Sequence, residues 1–242
     1  MSPFFTEVRE TLAPPPDAKF GPLPPMLVGL TVVTRLVDAF SYLALGHVFV
    51  ANMTGNIVIL ALALAGAPGF SAGTSLAALA AFWVGAALGG RLAVRLADHR
   101  GRHLSQATRA QAVFMAVAVV LAVISGDPVT TGWRYPLVVV LALAMGVQNT
   151  TARHLAVPDL TTTVLTLTIT GSAASAATGG LRSSGGRRVL SITAIFAGAL
   201  AGAVLVIHHD LAVPLGGALA ILALVSASSW WAGRSNPAWV RP

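Results

Sequence analysis

The chain has 242 residues, of which 55% are hydrophobic and only 10% charged, with a mean hydropathy of +0.78. A soluble domain carries about 25% charged residues, so this composition excludes an ordinary soluble globule and a largely disordered chain, and implies an integral membrane protein. The absence of cysteine excludes disulfides, thiolate metal sites and cysteine nucleophiles, while the net charge of +7 comes mostly from arginines beside apolar runs, which reads as a topology signal and not as a nucleic-acid surface.

Residues 1–25 carry Glu7, Glu10, Asp17 and a proline cluster (Pro14, Pro15, Pro16, Pro22, Pro24, Pro25). This is not the basic end and short apolar stretch of a secretory signal, and it predicts a flexible or polyproline-like tail. Eight apolar segments follow, at about 26–47, 54–67, 75–97, 108–125, 135–152, 161–176, 189–208 and 213–232. Gly/Pro/Asp punctuation separates several of them. A spanning helix needs roughly 20 residues. Segments 2 and 6 are the shortest, so both are expected as half-helices or re-entrant stretches. The predicted fold is all-α: a polytopic membrane bundle of six full crossings plus two short half-helical segments. It forms one domain over 26–232, with halves 26–126 and 134–232 and a short tail at 233–242.

An internal repeat underlies the two halves. Shifted by 107 positions, His47 falls on His154, Val50 on Val157, Thr54 on Thr161 and Leu60 on Leu167. At a slightly different offset, Gly85 and Gly89 in segment 3 answer Gly198 and Gly202 in segment 7. With eight crossings the basic residues outside the membrane divide about evenly, 8 to 6; with six they divide 13 to 1, leaving Arg134 alone outside and Arg35 within segment 1. The positive-inside rule selects six. Each half then crosses three times, and the halves are inverted, a plan shared by many secondary transporters. Both termini are expected in the cytoplasm. A single lysine among many arginines, with abundant alanine, points to a high-GC bacterial genome and so to the bacterial inner membrane.

Arg35 and Asp38 lie mid-segment at i, i+3 spacing, on one helix face. Charges at that depth cost several kcal/mol and face a bundle interior or a wet cavity; they read either as a substrate or proton site or as a structural ion pair. The polar break after segment 1 holds His47, Asn52, Thr54, Gly55 and Asn56. Its Thr and Asn are good caps for a half-helix whose N-terminal N–H groups suit an anionic group, or equally for a plain interfacial turn. The second break holds Gln148, Asn149, Arg153, His154, Pro158, Asp159 and Thr161. Asp159 is a candidate N-cap, and buried amides at Gln148 and Asn149 require partners from the facing repeat. His47, His154 and Asp159 are ligand types that suit zinc or iron, yet no metal-binding spacing appears, and neither a metal nor a cofactor is expected. His99 and His103 read as solvated members of an arginine-rich loop at 98–109. Gly85/Gly89 and Gly198/Gly202 are G-x-x-x-G pairs, read as packing between the halves, with homodimerisation as the rival. No catalytic motif is present, so no enzyme is expected.

The stretch V-D-A-F-S-Y-L-A-L-G-H-V-F-V-A-N-M-T-G-N (Val37–Asn56) resembles the signature of the YoaK family, bacterial membrane proteins grouped under domain of unknown function 1275. The stretch Met145–Gly171 resembles the same family, and the likeness runs from about Leu27 to Trp231. It implies a polytopic bacterial inner-membrane protein of about this length and supplies no catalytic residues. Family members often carry a second basic residue where His154 stands, and an acidic one after Gly171 where this chain reads Ser172-Ala173-Ala174-Ser175, which weakens a proton relay on segment 6. The leading functional expectation is a small transporter or permease moving a small molecule or ion, with the bilayer as constant partner. The alternative is a non-transporting partner or assembly protein using the arginine loop as contact surface. A lipid-acting enzyme built on His47 or Asp38 has the least support.

Overall fold

A computed structural model describes residues 3–15, 17–158, 160, 170, 185–234 and 238–241. Among them are eight α-helices and no strand: α1 (Pro3–Leu12), α2 (Leu23–Ala44), α3 (Met53–Leu64), α4 (Ala72–Arg95), α5 (Arg100–Ser125), α6 (Thr131–Leu155), α7 (Gly185–His208) and α8 (Ala212–Gly233), followed by a 3-10 turn at Ala238–Val240. Six of these, α2 and α4 to α8, are long and apolar enough to cross a membrane, and α3 is a shorter apolar helix. Large apolar side chains such as Trp83, Val94, Val123, Phe196 and Leu224 stand exposed on the outside. On the scale of about 25 cal/mol per Å², that surface requires lipid as its solvent. The molecule is a polytopic helical bundle. Sequence segment 6, apart from Thr170, falls outside the described residues.

Most helix ends follow local chemistry. Pro24 and Pro25 sit in the first turn of α2, where the missing N–H costs nothing. Ser71 caps α4 by accepting the Thr74 N–H at 3.3 Å. The largest departure from expectation is α5, which starts at Arg100 rather than near Thr108. The expected arginine loop at 98–109 is therefore mostly helix. His99 is its N-cap, its Nδ1 accepting the Arg102 N–H at 3.1 Å, and His103 is buried rather than solvated. Arginine has high helix propensity, and a basic first stretch belongs to a span whose long side chains reach back to the interface.

Both tails are also more structured than expected. Residues 3–12 form α1, because the proline cluster starts only at Pro14. Glu7 on α1 accepts the Gly186 N–H at 2.9 Å, capping α7 with a carboxylate. At the other terminus Trp239 and Val240 are buried. The Trp239 ring fills the space above Gly21 and Gly101, where a Cβ would approach to 2.4 and 3.1 Å, so the C-terminal residues fasten the linker before α2 to the start of α5.

The repeat is visible in the helix ends. α2 and α6 finish 111 positions apart, at Ala44 and Leu155, and α4 and α7 are displaced by 113 at both ends. The His47/His154 pair of the 107-residue register is thereby corrected, while Thr161 and Leu167 lie outside the described residues. His154 lies inside α6, whereas His47 lies beyond the end of α2, so the two are not equivalent. The equivalent helices α2 and α6 are antiparallel: the C-terminal Gly46 of the α2 turn lies against Arg134 at the start of α6. The halves are thus inverted. They are also interlocked. On α4, a Cβ at Gly85 would lie 2.2 Å from the Leu143 oxygen of α6, and one at Gly89 3.1 Å from Val147. On α7, a Cβ at Gly198 would lie 2.7 Å from the Val32 oxygen of α2, and one at Gly202 2.7 Å from that of Leu36. α4 of the first half therefore packs parallel to α6, the first helix of the second, and α7 packs parallel to α2 in the same way. α2 and α6 become the enclosed centre, 61% buried against 22–39% for the other spans.

Candidate functional site

The chain leaves α2 through a turn that only unusual backbone angles allow. Gly46 has φ +85° and His47 +58°, a region glycine enters freely and other residues at a cost. The turn sends the chain back along α2 and not away from it. Val48, Val50 and Ala51 are buried, and the Val50 and Ala51 N–H groups donate to Asp38 Oδ1 at 3.2 and 2.9 Å. Asp38 is six residues before the end of α2, about 9 Å down the helix. The segment is therefore re-entrant, and α3 begins inside the bundle and runs outward.

Three side chains hold this arrangement. Asp38 uses one oxygen for the two amides and the other for Arg35 Nη1 at 3.1 Å. Asn56 pairs with Phe49 as a backbone strand would, accepting its N–H at 2.9 Å and donating to its carbonyl at 2.6 Å. Asn52 caps α3 by accepting the Gly55 N–H at 3.3 Å. An arginine and two amide donors occupy both oxygens of this buried carboxylate, the arrangement a charge at membrane depth requires.

A second polar cluster lies on the same face of α2. Thr31, Thr34, Asp38 and Ser41 follow a 3-4-3 spacing and all are buried. Gln148 of α6 donates to the Leu30 carbonyl at 2.8 Å and to the Thr34 hydroxyl, and accepts from Gln111 Nε2 of α5 at 2.7 Å. Gln111 also donates to the Ala144 carbonyl at 3.2 Å, while its Oε1 is buried with no partner among the described residues. Three spans from both halves are joined by this amide chain.

The predicted site residues thus separate. Arg35, Asp38, Asn52 and Asn56 converge on the re-entrant segment, and Gln148 joins α2 one turn away. Asn149 donates to the Met145 carbonyl of its own helix at 3.0 Å. Thr54 is exposed. His47 is exposed at the turn, 3.3 Å from the Gly69 oxygen and against the Tyr42 and Phe70 rings. His154 stands beside His103, their rings 6.3 Å apart at the arginine-rich end. Since Gly46 adjoins the start of α6 and His154 is near its end, His47 and His154 are about 30 Å apart, and they cannot share a metal. Asp159 and Thr161 lie outside the described residues. Among the described residues no three His, Asp or Glu side chains form a metal-binding group. Sequence reasoning missed Gln111 and Thr34. A glutamine inside an apolar span was the available signal for the first, and the 3-4-3 polar stripe for the second.

A curated relative, the UPF0700 transmembrane protein YoaK of Bacillus subtilis (strain 168), is 35% identical over 140 residues, which cover 58% of this chain and 61% of that protein. The chain therefore matches less than two thirds of its relative's length. No solved structure matches the chain. A family model, described as a protein of unknown function (DUF1275), matches residues 26–228, from the first turn of α2 almost to the end of α8. The match takes in the re-entrant segment, both glycine seams and the amide chain, and this membrane protein belongs to the DUF1275 family.

Proposed function

We propose that the chain is a small secondary transporter or permease of the bacterial inner membrane, with its basic end, both termini included, in the cytoplasm. The observation that carries the reading is Asp38. One intramembrane carboxylate holds an arginine and the backbone of a re-entrant segment together, inside an inverted repeat. Interrupted helices near the midplane are where such folds place their sites, and an anionic or protonatable substrate competing for Arg35 or Asp38 would release Val50 and Ala51. Binding and movement of the re-entrant segment would then be one event. The orientation follows from the arginines at the ends of α4 and α6 and the starts of α5 and α7.

The test is flux into proteoliposomes across a panel of organic anions, amino acids and inorganic ions, for the wild type and for Asp38→Asn. Uptake of one compound that Asp38→Asn reduces by tenfold or more supports transport. No uptake above empty vesicles for any compound, with protein verified as folded, defeats it.

A second reading has its own observation. Asp38, Asn56 and Gln148 all bond to the protein's own groups, as a purely structural role requires. A non-transporting membrane partner would tolerate Asn56→Ala in any cellular readout once the fold survives.

A further inference from the structure

We infer that the cytoplasmic ends of α5 and α8 form a binding pocket for an anionic phosphate-bearing group, and that its occupant is the headgroup of an anionic phospholipid. The inference rests on the membrane orientation above and is independent of transport. A cavity of about 290 Å³ opens between the first turns of α5 and the last turn of α8. Arg102, Gln106 and Arg109 line it from one face of α5, and Arg234 from the end of α8, with His99 and Trp230 beside them. No carboxylate lines it, and among the described residues none of the three arginines makes an ion pair. Three guanidinium groups around one cavity favour an anion among them, and guanidinium suits phosphate oxygens geometrically.

The cavity is built and not incidental. Ser105, which lines it, belongs to a reciprocal clamp between α5 and α8, Ser105 Oγ donating to the Ser226 carbonyl at 3.4 Å and Ser226 Oγ to the Ser105 carbonyl at 3.3 Å. Arg234 is held over the Trp230 ring at 4.4 Å. Arg102 and Arg109 are seven residues apart, about 10 Å along α5, so their charges span the depth of a headgroup layer.

What selects lipid over a soluble anion is the neighbouring surface. Trp230 is also a wall of a second, apolar groove of about 580 Å³, formed with Pro22, Met26, Ala227 and Trp231. A cationic pocket and an apolar groove sharing one tryptophan at the membrane interface match the two ends of a phospholipid.

The experiment is native mass spectrometry of the full chain released from nanodiscs of equimolar phosphatidylglycerol and phosphatidylcholine. The wild type is expected to retain phosphatidylglycerol preferentially. Each interfacial arginine contributes about fivefold, so the double variant Arg109→Gln/Arg234→Gln should lose roughly twenty-five-fold of that preference. Arg91→Gln/Arg95→Gln removes the same charge from the end of α4, outside the cavity, and should lose much less. Arg102→Gln alone, with a smaller loss, covers the case in which the double variant misfolds. Equal retention of both lipids by the wild type, or equal losses in the α4 control, overturns the inference. Inorganic phosphate is the third arm: if it raises the melting temperature of the wild type but not of the pocket variant, while lipid retention shows no preference, the pocket takes a soluble anion and the lipid assignment falls.

Discussion

The two seams that lock the halves together have one geometry and different chemistry. In the α4/α6 seam, Gly85 meets a second glycine: a Cβ at Gly146 would lie 2.3 Å from the Phe82 oxygen and 2.6 Å from the Ala86 nitrogen. In the α2/α7 seam, the position 111 residues earlier is Arg35, whose Cβ lies 3.1 Å from where a Cβ on Gly198 would stand. The same displacement sets Asp38 against Asn149. One half therefore carries an ion pair where the other carries a glycine and an amide. At these aligned positions of α2 and α6 the repeat supplies the frame twice and the charge once. Among the described residues, the segment held by a carboxylate is the one after α2.

Breaking the sealed seam should have the largest effect. Gly146→Leu drives a side chain into the α4 backbone and should cost on the order of 4 kcal/mol, read as loss of the folded fraction in detergent unfolding. Gly198→Ala, against a 2.7 Å contact, should cost about 1–3 kcal/mol and less than Gly146→Ala against one of 2.3 Å; if the two alanine variants rank the other way, the α4/α6 seam is not the tighter. Asp38→Ala strands Arg35 and two amides and should cost about 3–5 kcal/mol. Asp38→Asn keeps an acceptor for the Val50 and Ala51 amides and should cost less than half as much. Equal losses would mean the charge, and not the backbone bonds, holds the segment. Gln148→Leu removes partners from Gln111, Thr34 and the Leu30 carbonyl at once, for about 1–3 kcal/mol in the same unfolding measurement. The smallest effect is Glu7→Gln, which weakens the cap on α7 by about 0.5–1 kcal/mol. It should be visible as faster amide exchange at Gly186 and little else.

Six spans, the short segment after α2 and both glycine pairs were legible because each is a local pattern of hydropathy or spacing. Asp38 was legible as a buried charge, but its two amide partners were not, since they lie 12 and 13 residues onward and reach it only through the turn at Gly46. Gln111 and Gln148 are 37 residues apart, and nothing in either segment names the other. The early start of α5 was hidden because arginine counts as polar in any hydropathy window, although its aliphatic stem lies comfortably along a helix end. The His47/His154 match misled because it paired a turn residue with one inside a helix, whereas the repeat of α2 in α6 shows in the helix ends. Trp239 was overlooked because a short terminal segment gives no periodicity, and its burial depends on glycines at 21 and 101.

The interlocking of the halves bears on how the protein is made. When the ribosome has completed α5, the Gly85 and Gly89 face of α4 has no partner, and α2 still lacks α7. Neither half can bury its seam until the other is inserted. A chain stopped near residue 126 would hold two open faces in the bilayer, the glycine face of α4 and the Val32/Leu36 face of α2, each fitted to a helix not yet synthesised. Biogenesis thus has a late checkpoint, the arrival of α6 and then α7, and a fragment of one half expressed with the other should assemble by exchanging these helices, not by docking two finished units.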